Sequence, residues 1–216
     1  MKRGHERQSR TGMHGWLLLT LLLAGLAGCA ALPPVPEDQS AARAAFLERA
    51  AELEAVRHWR FVGRLALELP TESWSGQLNW RTEDRRQVID LSGPMGRGGG
   101  RLVLGGDRAL LITREGDRHE AADPDALIAL VTGREIPVAG LDYWVRGMPR
   151  TGVGFDLRAD AAGQPRRLVQ DGWEIVYGAF EEGLPVAMPM SVEIDRGDIR
   201  LRLTIQRWQL TPVESL

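Results

Sequence analysis

The sequence predicts a mainly β (α+β) fold, built as one long, curled antiparallel sheet with helices laid across its opening. Three observations carry this. Apolar and polar residues alternate with a period of two through most of the chain from His58 to Ile205, as strands with one wet face require. Gly, Asp and Pro punctuate these runs at short intervals, as antiparallel turns do. Only three segments have helical spacing, and a sheet of about ten strands tends to curl.

The N-terminal segment stands apart from this pattern. Lys2, Arg3, Arg7 and Arg10 precede an uncharged run from Trp16 to Ala27. A bilayer span needs ~20 apolar residues, so the run is too short to cross and has the length of a signal-peptide core. It ends in Leu26-Ala27-Gly28-Cys29, and Cys29 is the only cysteine of the chain. That ending resembles a lipobox, which implies a diacylglyceryl thioether and an N-acyl group on Cys29 after cleavage. The predicted organisation is a signal peptide over 1–28, a lipidated N-terminus and tether over 29–39, and a single domain over 40–216. Three prolines and no periodicity make residues 30–39 an extended tether.

From Ser40 a helix is predicted, with Phe46, Ala50, Leu53 and Val56 on one face and Glu37 and Asp38 at its positive end. The period then changes to two. Trp59, Phe61, Leu65, Leu67 and Leu69 alternate with polar residues over 58–69, and Trp74, Leu78 and Trp80 do so over 74–81. Further strands are predicted over 86–91, 100–104, 108–113, 153–158, 166–170, 173–177, 186–194 and 198–205. Between them, Asp123 is a plausible N-cap and Pro124 a fitting first helical residue. Leu127, Ile128, Leu130 and Val131 form an apolar side, and Gly133 ends that helix. A second short helix is predicted around Leu141, Tyr143, Trp144 and Val145. The segment Gly93–Gly100 reads as a glycine-rich hairpin loop with Met95 at its tip, between Pro94 and Gly96.

Composition narrows the function. The formal charge is −2, and every basic residue after Cys29 is arginine. An acidic balance argues against nucleic acid as a partner. His58 and His119 have no ligand spacing around them, and the stretch Asp117-Arg-His-Glu120 reads as a polar turn. No Gly-x-Ser-x-Gly elbow and no Gly-Lys-Ser/Thr phosphate loop is present. Neither an enzyme nor a metal site is expected, and no cofactor beyond the covalent lipid. Six tryptophans follow the signal segment, and periodicity alone leaves open whether they fill the interior or wall a cavity.

Six pieces, in order, resemble the LolB family of outer-membrane lipoprotein receptors. They are GRLAL from Gly63, GQLNW ending at Trp80, DLSGPMGRG from Asp90, LVTGREIPVAGLDYWVRGMP from Leu130 to Pro149, QDGWEIVY from Gln170 to Tyr177, and RLTIQRW ending at Trp208. The resemblance spans roughly Trp59 to Leu210. It implies an unclosed β-barrel with a helical lid over a hydrophobic cavity for acyl chains. On that architecture the cavity-lining candidates are Phe61, Leu65, Leu67, Leu78, Trp80, Leu102, Leu104, Trp144, Ile175, Tyr177, Leu201 and Leu203. It implies a monomer that takes triacylated lipoproteins from the periplasmic carrier LolA and places them in the inner leaflet of the outer membrane. Pro94, Met95 and Gly96 match the loop that contacts the membrane, where many members carry leucine. An aspartate after the lipidated cysteine commonly marks inner-membrane retention; Ala30 stands there, which implies the outer membrane, with the domain on the periplasmic face. The competing reading is a structural lipoprotein of another envelope assembly, with a packed, non-binding interior.

Overall fold

A computed structural model describes residues 37–94 and 98–211. Cys29, Met95 and Gly96 lie outside the described residues. The chain begins with helix α1 (Glu37–Glu54), followed by strands β1 (His58–Glu68), β2 (Ser73–Glu83), β3 (Arg86–Ser92), β4 (Gly99–Gly105), β5 (Arg108–Thr113) and β6 (Arg118–Ala121). Helices α2 (Pro124–Thr132) and α3 (Val138–Trp144) come next. The second half holds β7 (Asp156–Ala159), β8 (Pro165–Gln170), β9 (Trp173–Tyr177), β10 (Phe180–Glu181), β11 (Met188–Pro189), β12 (Ser191–Arg196) and β13 (Ile199–Thr211).

Eleven strands form one sheet in the order β6-β5-β4-β3-β2-β1-β13-β12-β9-β8-β7, and β10 pairs with β11 in a small ribbon. All the pairings are antiparallel. The two edges, β6 and β7, do not pair with each other, so the sheet is unclosed.

One irregularity divides the interior. Along β13, Ile199, Leu201, Leu203 and Ile205 are buried, then Gln206 and Arg207 are both exposed, and Trp208 is buried again. The register opposite β1 shifts between Val62 and Gly63, which marks a β-bulge. An extra residue moves the inward set by one position and lets Trp208 face in beside Phe61. Gly63 is required there, because a Cβ would stand 2.4 Å from the Thr204 carbonyl oxygen. On one side of the bulge, Trp59, Phe61, Trp80 and Trp208 pack ring on ring, with centroids 4.8–6.1 Å apart. On the other side the inward residues are mainly leucines and isoleucines, joined by Trp74 of β2.

Several predicted elements are corrected by the structure. The α1 helix starts at Glu37, directly after Pro36, three residues before the predicted start. Most of the 117–120 stretch belongs to the edge strand β6 and is not a polar turn; an edge strand paired on one side needs no apolar alternation. The predicted strand over 186–194 is divided between β11 and β12. The strand expected from Val153 starts at Asp156, and the final strand runs on to Thr211 beyond its bulge.

The helices are held by polar contacts that no periodicity marks. Phe46, Ala50 and Leu53 are buried on one face of α1, as predicted. Arg49 on the same helix is 7 % exposed and donates to the carbonyls of Gly147, Arg146 and Ala187. Burial pulls its pKa down to about 10, partly offset by Tyr177 and nearby carboxylates. Arg146 returns the contact by donating to Leu53 O and pairing with Asp142 at 3.4 Å. Arg49 and Arg146 thus pin α1 to α3 and the turn after it. The α2 helix is capped as predicted: the Asp123 carboxylate accepts from Ala126 N at 2.7 Å, and Gly133 ends it at φ 68°. Asp123→Ala is expected to remove about 1 kcal/mol from α2. Hydrogen exchange will show faster α2 amides and unchanged β1 and β13 amides.

Candidate functional site

The aliphatic half of the interior encloses a cavity of about 270 Å³. Its walls are Leu65 and Leu67 of β1, Trp74, Leu78 and Trp80 of β2, Ile89 and Leu91 of β3, Gly99 and Leu102 of β4, and Leu201 and Leu203 of β13. Ile128 and Thr132 of α2, Ile136 of the linker, and Val138 and Leu141 of α3 form the roof. Trp80 serves both halves, as a wall of the cavity and as part of the aromatic cluster that floors it. Apolar cavities stay dry and accept apolar guests; an engineered one of about 150 Å³ binds benzene. Among the described residues, this one presents no charged group and no side-chain amide to a guest.

Of the twelve residues named from the sequence, Leu65, Leu67, Leu78, Trp80, Leu102, Leu201 and Leu203 come together in this wall. The other five sit elsewhere. Phe61 is packed behind Trp80 and against Trp208. Leu104 is partly buried at the far end of β4. Ile175 and Tyr177 are buried on β9, in the part of the sheet that α1 and the β10–β11 ribbon help to cover. Burial also pushes the Tyr177 hydroxyl well above its ordinary pKa. Trp144 is fully buried beneath α3, where it donates to Gln170 at 2.9 Å and tilts against Trp173. Alternation separates inside from outside, but it does not say how far along the strand the hollow begins. The bulge sets that boundary, and a bulge has no clear period.

The roof was partly legible. Ile128 and Leu141 belong to the predicted apolar helix faces, and both line the cavity. Leu127 of the same face is fully buried, whereas Leu130 is 74 % exposed and Val131 37 %. The roof's linker also makes a tie to the barrel. Glu135 accepts from Arg196 at 3.1 Å, and the Arg196 guanidinium lies 4.5 Å from the Trp173 ring centroid. The Asp125 carboxylate accepts from Ala139 N at 2.9 Å and joins the first turn of α2 to α3. Partial burial holds its pKa above the ordinary carboxylate value.

Pro94 is exposed, and the segment it opens is closed at its base by Gly93 N donating to Gly98 O at 3.4 Å. His58 lies 3.3 Å from Asp84, and His119 sits in the edge strand β6 opposite Leu111. Among the described residues no group of three or more His, Cys, Asp or Glu is arranged to hold a metal ion.

A sequence profile described as "Outer membrane lipoprotein LolB" matches residues 57–208. The chain is 37% identical to the "Outer-membrane lipoprotein LolB" of Alkalilimnicola ehrlichii, covering 89% of this chain and 98% of that one. It is 37% identical to the protein of the same description from Halorhodospira halophila, with 92% and 97% covered. The match from Stutzerimonas stutzeri is 34% identical, with 89% and 94% covered. Among solved structures, a DUF1329 family protein from Desulfovibrio piger superposes with a TM-score of 0.51 at 5% identity, over 82% of this chain and 95% of that one. A LolA superfamily protein from Nitrosomonas europaea superposes with a TM-score of 0.48 at 9% identity, over 78% and 93%.

Proposed function

The chain belongs to the LolB family of outer-membrane lipoproteins, and from that premise we propose that it binds the acyl chains of triacylated lipoproteins in the cavity beneath α2 and α3. It receives them from the periplasmic carrier LolA and places them in the inner leaflet of the outer membrane, acting as a monomer without chemical catalysis. Cys29 carries the lipid that anchors it, with the domain on the periplasmic face. The observation that carries this reading is the apolar cavity under a helical roof.

The physics of the transfer is simple. Each buried methylene of an acyl chain is worth ~0.8 kcal/mol, so chains do not cross water unshielded at useful rates. Leucine and isoleucine walls attract without direction, which suits chains of varied length. With no energy source in the site, each handover runs down a difference in affinity, from carrier to receptor to bilayer.

A cavity of about 270 Å³ is smaller than the ~300–1,000 Å³ of drug-sized ligand pockets. A lipid with several chains therefore enters as the roof lifts. The α3 helix is pinned by Arg146, Trp144 and Gln170, so α2 is the part that moves, released at the Glu135–Arg196 and Asp125–Ala139 contacts.

Met95 supplies the membrane contact. Burying one such side chain in a leaflet contributes ~1.5–3 kcal/mol, enough to orient the cavity mouth but weak beside a lipid anchor. Met95→Asp is expected to leave acceptance from the carrier intact and to slow delivery into vesicles about tenfold or more, while Met95→Leu keeps both. Equal loss of acceptance and delivery in Met95→Asp contradicts the assignment.

A further inference from the structure

We infer that Trp74 is a second membrane contact of the domain, an indole that rests among the lipid headgroups when the cavity mouth meets the phospholipid leaflet. This rests on the lipid-delivery reading above and adds a residue that the reading does not require.

Trp74 differs from the other tryptophans of the described residues. Trp59, Trp80, Trp144, Trp173 and Trp208 are each no more than 3 % exposed, whereas Trp74 is partly exposed. Trp80, Trp144 and Trp208 donate their indole N–H to Gln87, Gln170 and the Pro189 carbonyl. Trp59, Trp74 and Trp173 donate to no described residue, and of these three only Trp74 is partly exposed.

Its position is built by the strand ladder. The β3 strand ends at Ser92, which pairs with Gln77. Among the described residues, Ser73–Gly76 of β2 pair only with Leu65–Glu68 of β1. The β1–β2 hairpin therefore projects past β3 as a lip, and Trp74 stands on its inner face opposite Leu67. The segment that carries Met95 starts and ends beside this lip.

Two glycines seat the ring. A Cβ on Gly76 would stand 2.5 Å from the Trp74 ring and 2.5 Å from the Ser92 carbonyl oxygen. A Cβ on Gly98 would stand 3.4 Å from the Trp74 indole nitrogen. The ring thus lies over Gly76 with one side in the cavity wall, and its indole nitrogen lies beside Gly98, at the base of the Met95 segment. An aromatic body against an apolar space with its N–H at the rim is the arrangement that places tryptophan at membrane–water boundaries. The buried tryptophans are covered whether or not their N–H is bonded, so the partial exposure of Trp74 and its place on the lip are what set it apart.

The test uses the full chain reconstituted into phosphatidylethanolamine–phosphatidylglycerol vesicles. Tryptophan emission is recorded for the unaltered chain and for Trp74→Phe, and the difference isolates Trp74 from the buried rings. The difference emission is expected to be strongly quenched by lipids brominated near the headgroup end of their acyl chains, and less by lipids brominated near the chain ends. Equal emission in brominated and ordinary vesicles overturns the inference, as does quenching that persists undiminished in Trp74→Phe. Quenching by a brominated free fatty acid but not by brominated phospholipid assigns Trp74 to the cavity alone and also overturns it. Should Trp74→Phe fail to fold, Trp74→Tyr serves for the same subtraction. Binding of a fluorescent acyl probe by the unaltered chain is measured in parallel. Probe binding without bromolipid quenching removes this inference and leaves the lipid-delivery reading standing; loss of probe binding removes the reading itself.

Discussion

Replacing Trp144 with alanine is expected to destabilise the domain by about 3–5 kcal/mol, the range for deleting a buried aromatic ring. Small domains have about 5–15 kcal/mol in total, so the variant will unfold at much lower urea concentration or not accumulate folded. The side chain is fully buried and packs beside Gly140, where a Cβ would stand 2.8 Å from the ring. Its N–H reaches Gln170, which is 2 % exposed and also bonds Arg150 N, Arg150 O and Val153 O. Losing the ring therefore opens a void and loosens the link between α3 and the strands beneath it. Trp144→Phe keeps most of the packing and gives up the hydrogen bond, worth about 1 kcal/mol when the partner retains others. Urea denaturation of both variants separates the two contributions.

The second large effect is on binding. Ile128 is partly buried on α2 and lines the cavity. Ile128→Trp fills much of the space an acyl chain needs. Stability is expected to stay within about 1 kcal/mol or to rise, as cavity-filling changes commonly do. Affinity for a fluorescent acyl probe is expected to fall at least about tenfold, or 1.4 kcal/mol. Leu130→Trp is the matched control. It lies on the same helix but is 74 % exposed, and it should bind the probe as the unaltered chain does. Equal loss in both variants would locate binding outside the cavity.

Much of the fold was legible because short-range patterns carry it. The spacing of Phe46, Ala50 and Leu53 identified the buried face of α1, and Asp123-Pro124 with Gly133 bracketed α2 within one residue. Alternation on β13 gave the inward face as far as Ile205. The same alternation lost Trp208, because the bulge opposite Gly63 shifts the phase without any composition signal. The edge strand β6 was missed because its apolar content is low and one ladder suffices to hold it. The contacts of Arg49, Arg146 and Gln170 join residues far apart in the chain, and only folding brings such groups together.

The candidate site follows the same division. Of the twelve lining candidates named on the architecture that the resemblance implies, seven stand in the wall of the cavity and five stand in packed regions. What decides between wall and packing is how the aromatic rings are apportioned: they fill the interior from the bulge toward Trp59 and leave the leucines opposite α2 without filler. The question of a filled or hollow interior thus has a divided answer, with a solid aromatic end and a hollow aliphatic end. The membrane role of Met95 rests on the family resemblance, whereas that of Trp74 on the neighbouring lip rests on geometry.

The central claim is that acyl chains occupy the space between the sheet and the α2–α3 roof. The most direct measurement is photocrosslinking with a lipoprotein whose acyl chains carry a diazirine, followed by mass spectrometry of the labelled peptides. The account predicts labels on Leu78, Leu102, Leu203 and Ile128, and their loss in Ile128→Trp. Labels confined to the outer face of the sheet, around Val103 and Leu110, or no label above that of a non-binding protein, would contradict it.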